Sequence, residues 1–125
     1  MKNILKIGIA SRAEMKARTL AIARGQLKPG ADDPKVWFTS IESFAQVLST
    51  RNKLLLEIIK QAKPTSLAEL AQLSERAQSN LSRTLKTMQR YGFVEIRKDG
   101  KGRMVVIAAP HDGYRVEYGL SRKVA

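Results

Sequence analysis

A mainly α-helical fold with a small β component is expected from three features of this 125-residue sequence. Several stretches carry apolar residues at helical spacing behind Ser or Thr caps, and a segment at each end alternates apolar with polar residues. Between residues 66 and 107, two short helical stretches are followed by a hairpin with a Gly-rich basic turn. That order of parts is the one found in a winged helix-turn-helix: scaffold helix, tight turn, second helix with a polar and basic outer face, and a hairpin charged at its tip.

The length suits one domain with a small appendage, and an apolar fraction of 43% leaves room for a core. Lys and Arg number 23 against 11 Asp and Glu, a formal net charge of +12. Such a balance favours polyanionic partners, nucleic acid or an anionic membrane. No apolar run approaches the roughly 20 residues needed to cross a bilayer. Residues 4–10 are too short, and too interrupted by Lys6, for a signal peptide, so a cytoplasmic location is expected. With no cysteine, a disulfide framework, a thiol nucleophile and a zinc-finger ligand set are excluded. No metal and no other cofactor is expected.

Leu5, Ile7 and Ile9 alternate with Lys6 and Gly8, which predicts a strand over residues 4–10. Ser11 and Glu14 have capping-box spacing, so a helix should start there and run to Gly25, with a Pro-, Gly- and Asp-rich loop to Lys35. After the apolar stretch Val36 to Phe38, Thr39 and Glu42 form a second box ahead of a helix carrying Ile41, Phe44, Ala45 and Leu48. Thr50 can cap the next helix, whose apolar face is Leu54, Leu55, Ile58 and Ala62 and which Pro64 stops. Ser66 and Glu69 then open the scaffold helix. The division expected is a strand-helix arm and loop over residues 1–35, a DNA-binding winged helix over 36–109, and a strand and tail over 110–125. Tyr114 to Leu120 alternates as the first strand does, so the two should pair with each other or across a dimer.

In the second helix of the motif each residue advances about 100°. Leu81, Leu85 and Met88 then share one side; Arg76, Ser79, Asn80, Arg83, Lys86, Thr87 and Arg90 share the other, which holds no acid. Gln78 and Ser82 complete the polar set. A hairpin follows, from strand 93–96 through the turn 97–103 to strand 104–108, bringing Arg97, Lys98, Lys101 and Arg103. From Arg76 to Arg103, eight basic residues face only Glu95 and Asp99, so half of the net charge lies in under a quarter of the chain. Amides, hydroxyls and arginines on a helix suit base edges, and lysines on a Gly-flanked turn suit phosphates. Which arginine would read a base is left open by position alone.

Residues 50–109 resemble the MarR-type winged-helix regulators, through Leu81-Ser82-Arg83-Thr84-Leu85-Lys86 and Tyr91-Gly92-Phe93-Val94-Glu95. The whole chain resembles a family of small predicted transcriptional regulators with an added N-terminal strand and helix. The resemblance implies DNA binding, and an antitoxin role through a cognate toxin protein. Two departures stand in the turn, where Glu75 and Arg76 replace the usual Gly and apolar residue and Ala77 replaces the capping Ser. The second helix is therefore expected to start early, with Ser74 as its cap.

Other chemistries are weak. His111-Asp112 lacks a nucleophile and reads as a surface loop; Gly100-Lys-Gly-Arg lacks the spacing of a phosphate-binding loop. Trp37, Phe38 and Phe44 read as core rather than as an effector pocket, and the helix carrying Lys16, Arg18 and Arg24 has too little apolar surface to anchor in a membrane. The function expected is a non-enzymatic, dimeric, sequence-specific regulator of transcription on double-stranded DNA, a repressor of its own or a neighbouring operon. The alternatives are the antitoxin and a winged helix that binds nucleic acid without sequence preference.

Overall fold

The computed structural model describes residues 2–120; residues 121–125 of the expected tail lie outside the described part. In chain order the elements are β1 (Ile4–Ile9), α1 (Arg12–Ala23), β2 (Val36–Phe38), α2 (Ile41–Val47), α3 (Thr50–Ala62), α4 (Leu67–Ser74), α5 (Gln78–Arg90), β3 (Glu95–Lys98), β4 (Met104–Ala108) and β5 (Gly113–Glu117). The fold is mainly α with a small β component, a winged helix-turn-helix with an N-terminal strand-helix and a C-terminal strand. The chain forms two compact units, one of residues up to Ala45 with those from Gly113 onward, the other Gln46–Asp112.

In the first unit, β1 is the central strand of a three-stranded sheet ordered β2-β1-β5. The end strands do pair with each other, in parallel, with Ile4 beside Gly113 and Gly8 beside Glu117. They do so within one chain. The stretch Val36–Phe38, expected to belong with the helical body, is instead a strand parallel to β1. Parallel neighbours need a long crossover, which α1 and its loop supply between β1 and β2. Leu5, Ile7 and Ile9 are buried on one face, as their alternation predicts.

α1 opens on its box as expected, with Ser11 Oγ accepting from Glu14 N at 3.1 Å and Ser11 N donating to Glu14 Oε1 at 2.9 Å. Arg18 is not a free surface cation. It pairs with Asp33 at 2.9 Å and lies over the Trp37 ring at 5.2 Å. Phe38 is buried and packs as core, and it meets the half-buried Phe44 edge to face at 5.5 Å. Trp37 is half-buried, and its indole covers Gly8.

Local details shift by a residue in three places. α2 is capped by Ser40 Oγ, which accepts from Ser43 N at 3.0 Å, not by Thr39 with Glu42. α3 is capped by Ser49, accepting from Asn52 N at 3.1 Å, not by Thr50. Its buried face is correspondingly Leu55, Leu56 and Ile59, while Leu54 is 54% exposed. α3 ends before Pro64 as expected, with Lys63 in the left-handed region at φ 49.

A methyl group on Gly8 would overlap the Trp37 indole. Gly8→Ala should destabilise the first unit by about 1–3 kcal/mol. Urea unfolding followed by fluorescence of Trp37, the single tryptophan, measures this. Gly100→Ala, where nothing stands within 4 Å, is the control expected to leave that transition in place.

Candidate nucleic-acid interface

The second unit builds its polar side around α4, the turn and α5. Ser66 caps α4, its Oγ accepting from Glu69 N at 3.1 Å, while Glu69 Oε2 accepts from Thr65 N at 3.0 Å, one residue ahead of the expected box partner. Ser74 is the last residue of α4 and not the cap of α5. The helix stops because Glu75 turns left-handed, at φ 56, and its N–H bonds back to Ala71 O. α5 therefore starts at Gln78, behind Ala77, which offers no side-chain cap. A missing cap of this kind costs a helix about 1 kcal/mol.

Arg76 holds the turn in place of that cap. Its Nε and Nη2 donate to Asn80 Oδ1 at 3.0 and 2.8 Å, Nη2 also to Thr84 Oγ1 at 3.1 Å, and Nη1 to Asn52 Oδ1 at 3.0 Å. Asn52 in turn donates from Nδ2 to Val47 O at 2.9 Å. The guanidinium is half-buried, and burial, then the positive charge of Arg51, lower its pKa from the usual value. Sequence reading places Arg76 on the outer face; the structure turns it onto its neighbours. It also brings in Asn52, which no spacing rule singles out because 24 residues separate it from Arg76.

Leu81, Leu85 and Met88 are fully buried, which fixes the rotation of α5. Gln78, Ser79, Arg83, Lys86 and Arg90 are exposed opposite them, and Asn80, Ser82 and Thr87 are half-buried. Thr87 donates back to Arg83 O at 3.2 Å. Beside this face lies a cavity of about 280 Å³, lined in part by Asn52, Arg83, Thr84 and Thr87.

The hairpin is antiparallel, pairing Glu95 with Ala108 and Ile96 with Ile107, and a register shift falls between Arg97 and Lys98. Its first strand begins at Glu95 rather than at residue 93: Phe93 N donates back to Met88 O at the end of α5, at 2.8 Å, and pairing starts with Glu95, while Phe93 and Val94 are buried at 0% and 1% exposure. Asp99 organises the tip. Its Oδ1 accepts from Lys101 N at 2.9 Å and Arg103 N at 3.0 Å, and its Oδ2 from Arg103 Nε at 3.1 Å. Those bonds, the one from Arg103 N first, hold its carboxyl below the ordinary value. Arg103 is thus tied to an acid but stays 72% exposed. Among the described residues, no carboxylate pairs with Arg83, Lys86, Arg90, Arg97, Lys98 or Lys101.

His111 is half-buried rather than a plain surface residue. Burial, followed by the charge of Lys60, lowers its pKa from the usual value, and Asp112 pairs with Lys60 at 3.0 Å. Among the described residues no helix is long and apolar enough to cross a membrane.

Residues 47–116 match the HVO_A0114 family, and the chain belongs to that family. No curated protein matches it. A solved structure similar to it is that of the predicted DNA-binding transcriptional regulator from E. coli, at 17% identity over 82% of this chain and 86% of that one, with a TM-score of 0.45.

The Asp99 contacts give the tip a pH dependence. Since its folded pKa lies below the ordinary 3.8, their contribution is complete above that pH and is lost as the pH falls through the lowered value. Asp99→Ala should speed amide exchange at Lys101 and Arg103 relative to the parent at neutral pH, and the parent should approach the variant only in acid. Exchange-resolved NMR checks both.

Proposed function

We propose that the chain is a sequence-specific, double-stranded DNA-binding regulator of transcription, acting as a dimer on two half-sites and repressing its own or a neighbouring operon. The carrying observation is the exposed side of α5, where Arg83, Lys86 and Arg90 stand without a carboxylate partner among the described residues. Ser79, Ser82, Thr87 and Gln78 supply the neutral donors and acceptors that base edges require. The wing adds Arg97, Lys98, Lys101 and Arg103 as phosphate contacts, in register with a turn that Asp99 keeps rigid. A kinship with MarR-type regulators rests on the sequence motifs, and the antitoxin role has no particular residue behind it.

The dimer rests on a ground different from the one the sequence suggests. Two strands in search of partners are no longer the reason, since β1 and β5 pair in one chain. What unit one offers a second copy is the outer edge of β5, which no strand covers among the described residues and whose residues Arg115 to Glu117 are exposed.

Arg83→Ala should lower specific affinity by about 1–3 kcal/mol and relax discrimination at one or two bases of each half-site. Replacing Lys98 and Lys101 together by Ala should weaken binding to all duplexes alike and reduce the slope of log affinity against log salt by about one for each lost contact. Salt-titrated binding to selected and scrambled duplexes measures both. Loss of sequence discrimination in the wing variant, with discrimination intact in Arg83→Ala, would reverse the assignment.

A further inference from the structure

Asn80 is the third residue of α5, and its side-chain oxygen accepts both the Nε and the Nη2 hydrogen bonds of Arg76, at 3.0 and 2.8 Å. A guanidinium carries five N–H donors and no acceptor. Only the oxygen of the amide can therefore face Arg76, and the amide is held in one of its two orientations. Arg76 cannot follow a turning amide, because Asn52 and Thr84 hold the same guanidinium at 3.0 and 3.1 Å. What Asn80 retains for a ligand is its NH₂ group, two donors with no acceptor beside them.

We infer that Asn80 is a donor-only reader of the base edge, set in that state by Arg76 as a positioning residue. The inference rests on the DNA-binding reading above and says which bases that site takes. An amide free to present oxygen and nitrogen together pairs with adenine at N6 and N7. A donor-only amide suits edges made of acceptors, guanine N7 and O6 or thymine O4, and gains nothing from the N4 donor of cytosine. The position facing Asn80 in each half-site is therefore guanine or thymine. Adenine is disfavoured there because only its N7 can accept from such an amide, while its N6 donor finds no oxygen and faces a second donor.

Selection of bound duplexes from a random pool tests this with the full chain and three variants. The parent should enrich guanine or thymine at one position per half-site, and Asn80→Ala should erase the preference at that position alone. Arg76→Met releases the amide to turn and should raise adenine there by about tenfold relative to the parent, the scale of one good bidentate contact. If Arg76→Met does not fold, Asn80→Asp gives the same decision: it keeps both Arg76 bonds, removes the donors, and should shift the position towards cytosine. Adenine enriched by the parent at the Asn80-sensitive position overturns the proposal, as does an unchanged preference in the folded Asn80→Asp variant. A selection in which no position responds to Asn80 overturns it while leaving DNA binding intact. No enriched duplex from the folded parent overturns the DNA-binding reading itself, and this proposal with it.

Discussion

The guanidinium of Arg76 joins three pieces of the second unit: the turn it belongs to, α3 through Asn52, and α5 through Asn80 and Thr84. Hydrogen bonds from a charged donor contribute about 1.5–3 kcal/mol each when well made. Against them stand partial desolvation and the nearby charge of Arg51. The junction is favourable because four of its donor contacts are satisfied at ordinary distances; a lysine, with three donors on one nitrogen, could not reproduce all four from three separate nitrogens. Glu75 in the left-handed region and Ala77 without a capping side chain are both tolerated beside it. The polar geometry at the start of α5 is fixed by this one side chain.

The rest of α5 is oriented from the opposite side. Leu81, Leu85 and Met88 are completely buried, so the helix cannot rotate without exposing one of them at a cost of about 1.5–3 kcal/mol. Arg83, Lys86 and Arg90 are thereby held outward together. The wing is ordered by different means, since its tip has no core to pack on. A single carboxylate, Asp99, collects two backbone amides and one guanidinium and so spends one acid to stiffen a strongly basic turn. Among the described residues, Arg97, Lys98 and Lys101 form no ion pair with a carboxylate.

Most elements were legible because they depend on local rules. Period-two alternation found β1 and the β5 segment, capping spacing found the start of α1 and α4, and Pro64 marked the end of α3. The one-residue shifts at α2 and α3 arise where adjacent hydroxyls compete: Ser40 with Thr39, Ser49 with Thr50, each an equally good oxygen by sequence. At the candidate site, helical geometry correctly set Leu81, Leu85 and Met88 inside. It could not give the direction of Arg76, because a residue outside the helix does not obey the helix period. Val36 to Phe38 was unreadable as a strand for another reason: three residues are too short for a period, and parallel pairing is decided by a partner far along the chain.

The first unit has a connectivity that follows from its strand order. Its central strand β1 lies near the start of the chain, one neighbour, β2, follows after α1, and the other, β5, arrives only after the whole of residues 46–112. Parallel pairing makes this possible, since a tight turn could never join such strands. Ile7 and Ile9 can begin their burial with β2, yet β1 keeps an open edge until β5 closes it. That closing contact carries a long loop-closure cost and is non-local, so it belongs late in folding, whereas α4, α5 and the hairpin are assembled from near neighbours in sequence. The second unit is thus built from contacts between neighbours in sequence, α3 included through Asn52, while the sheet of the first unit is complete only with its most distant strand.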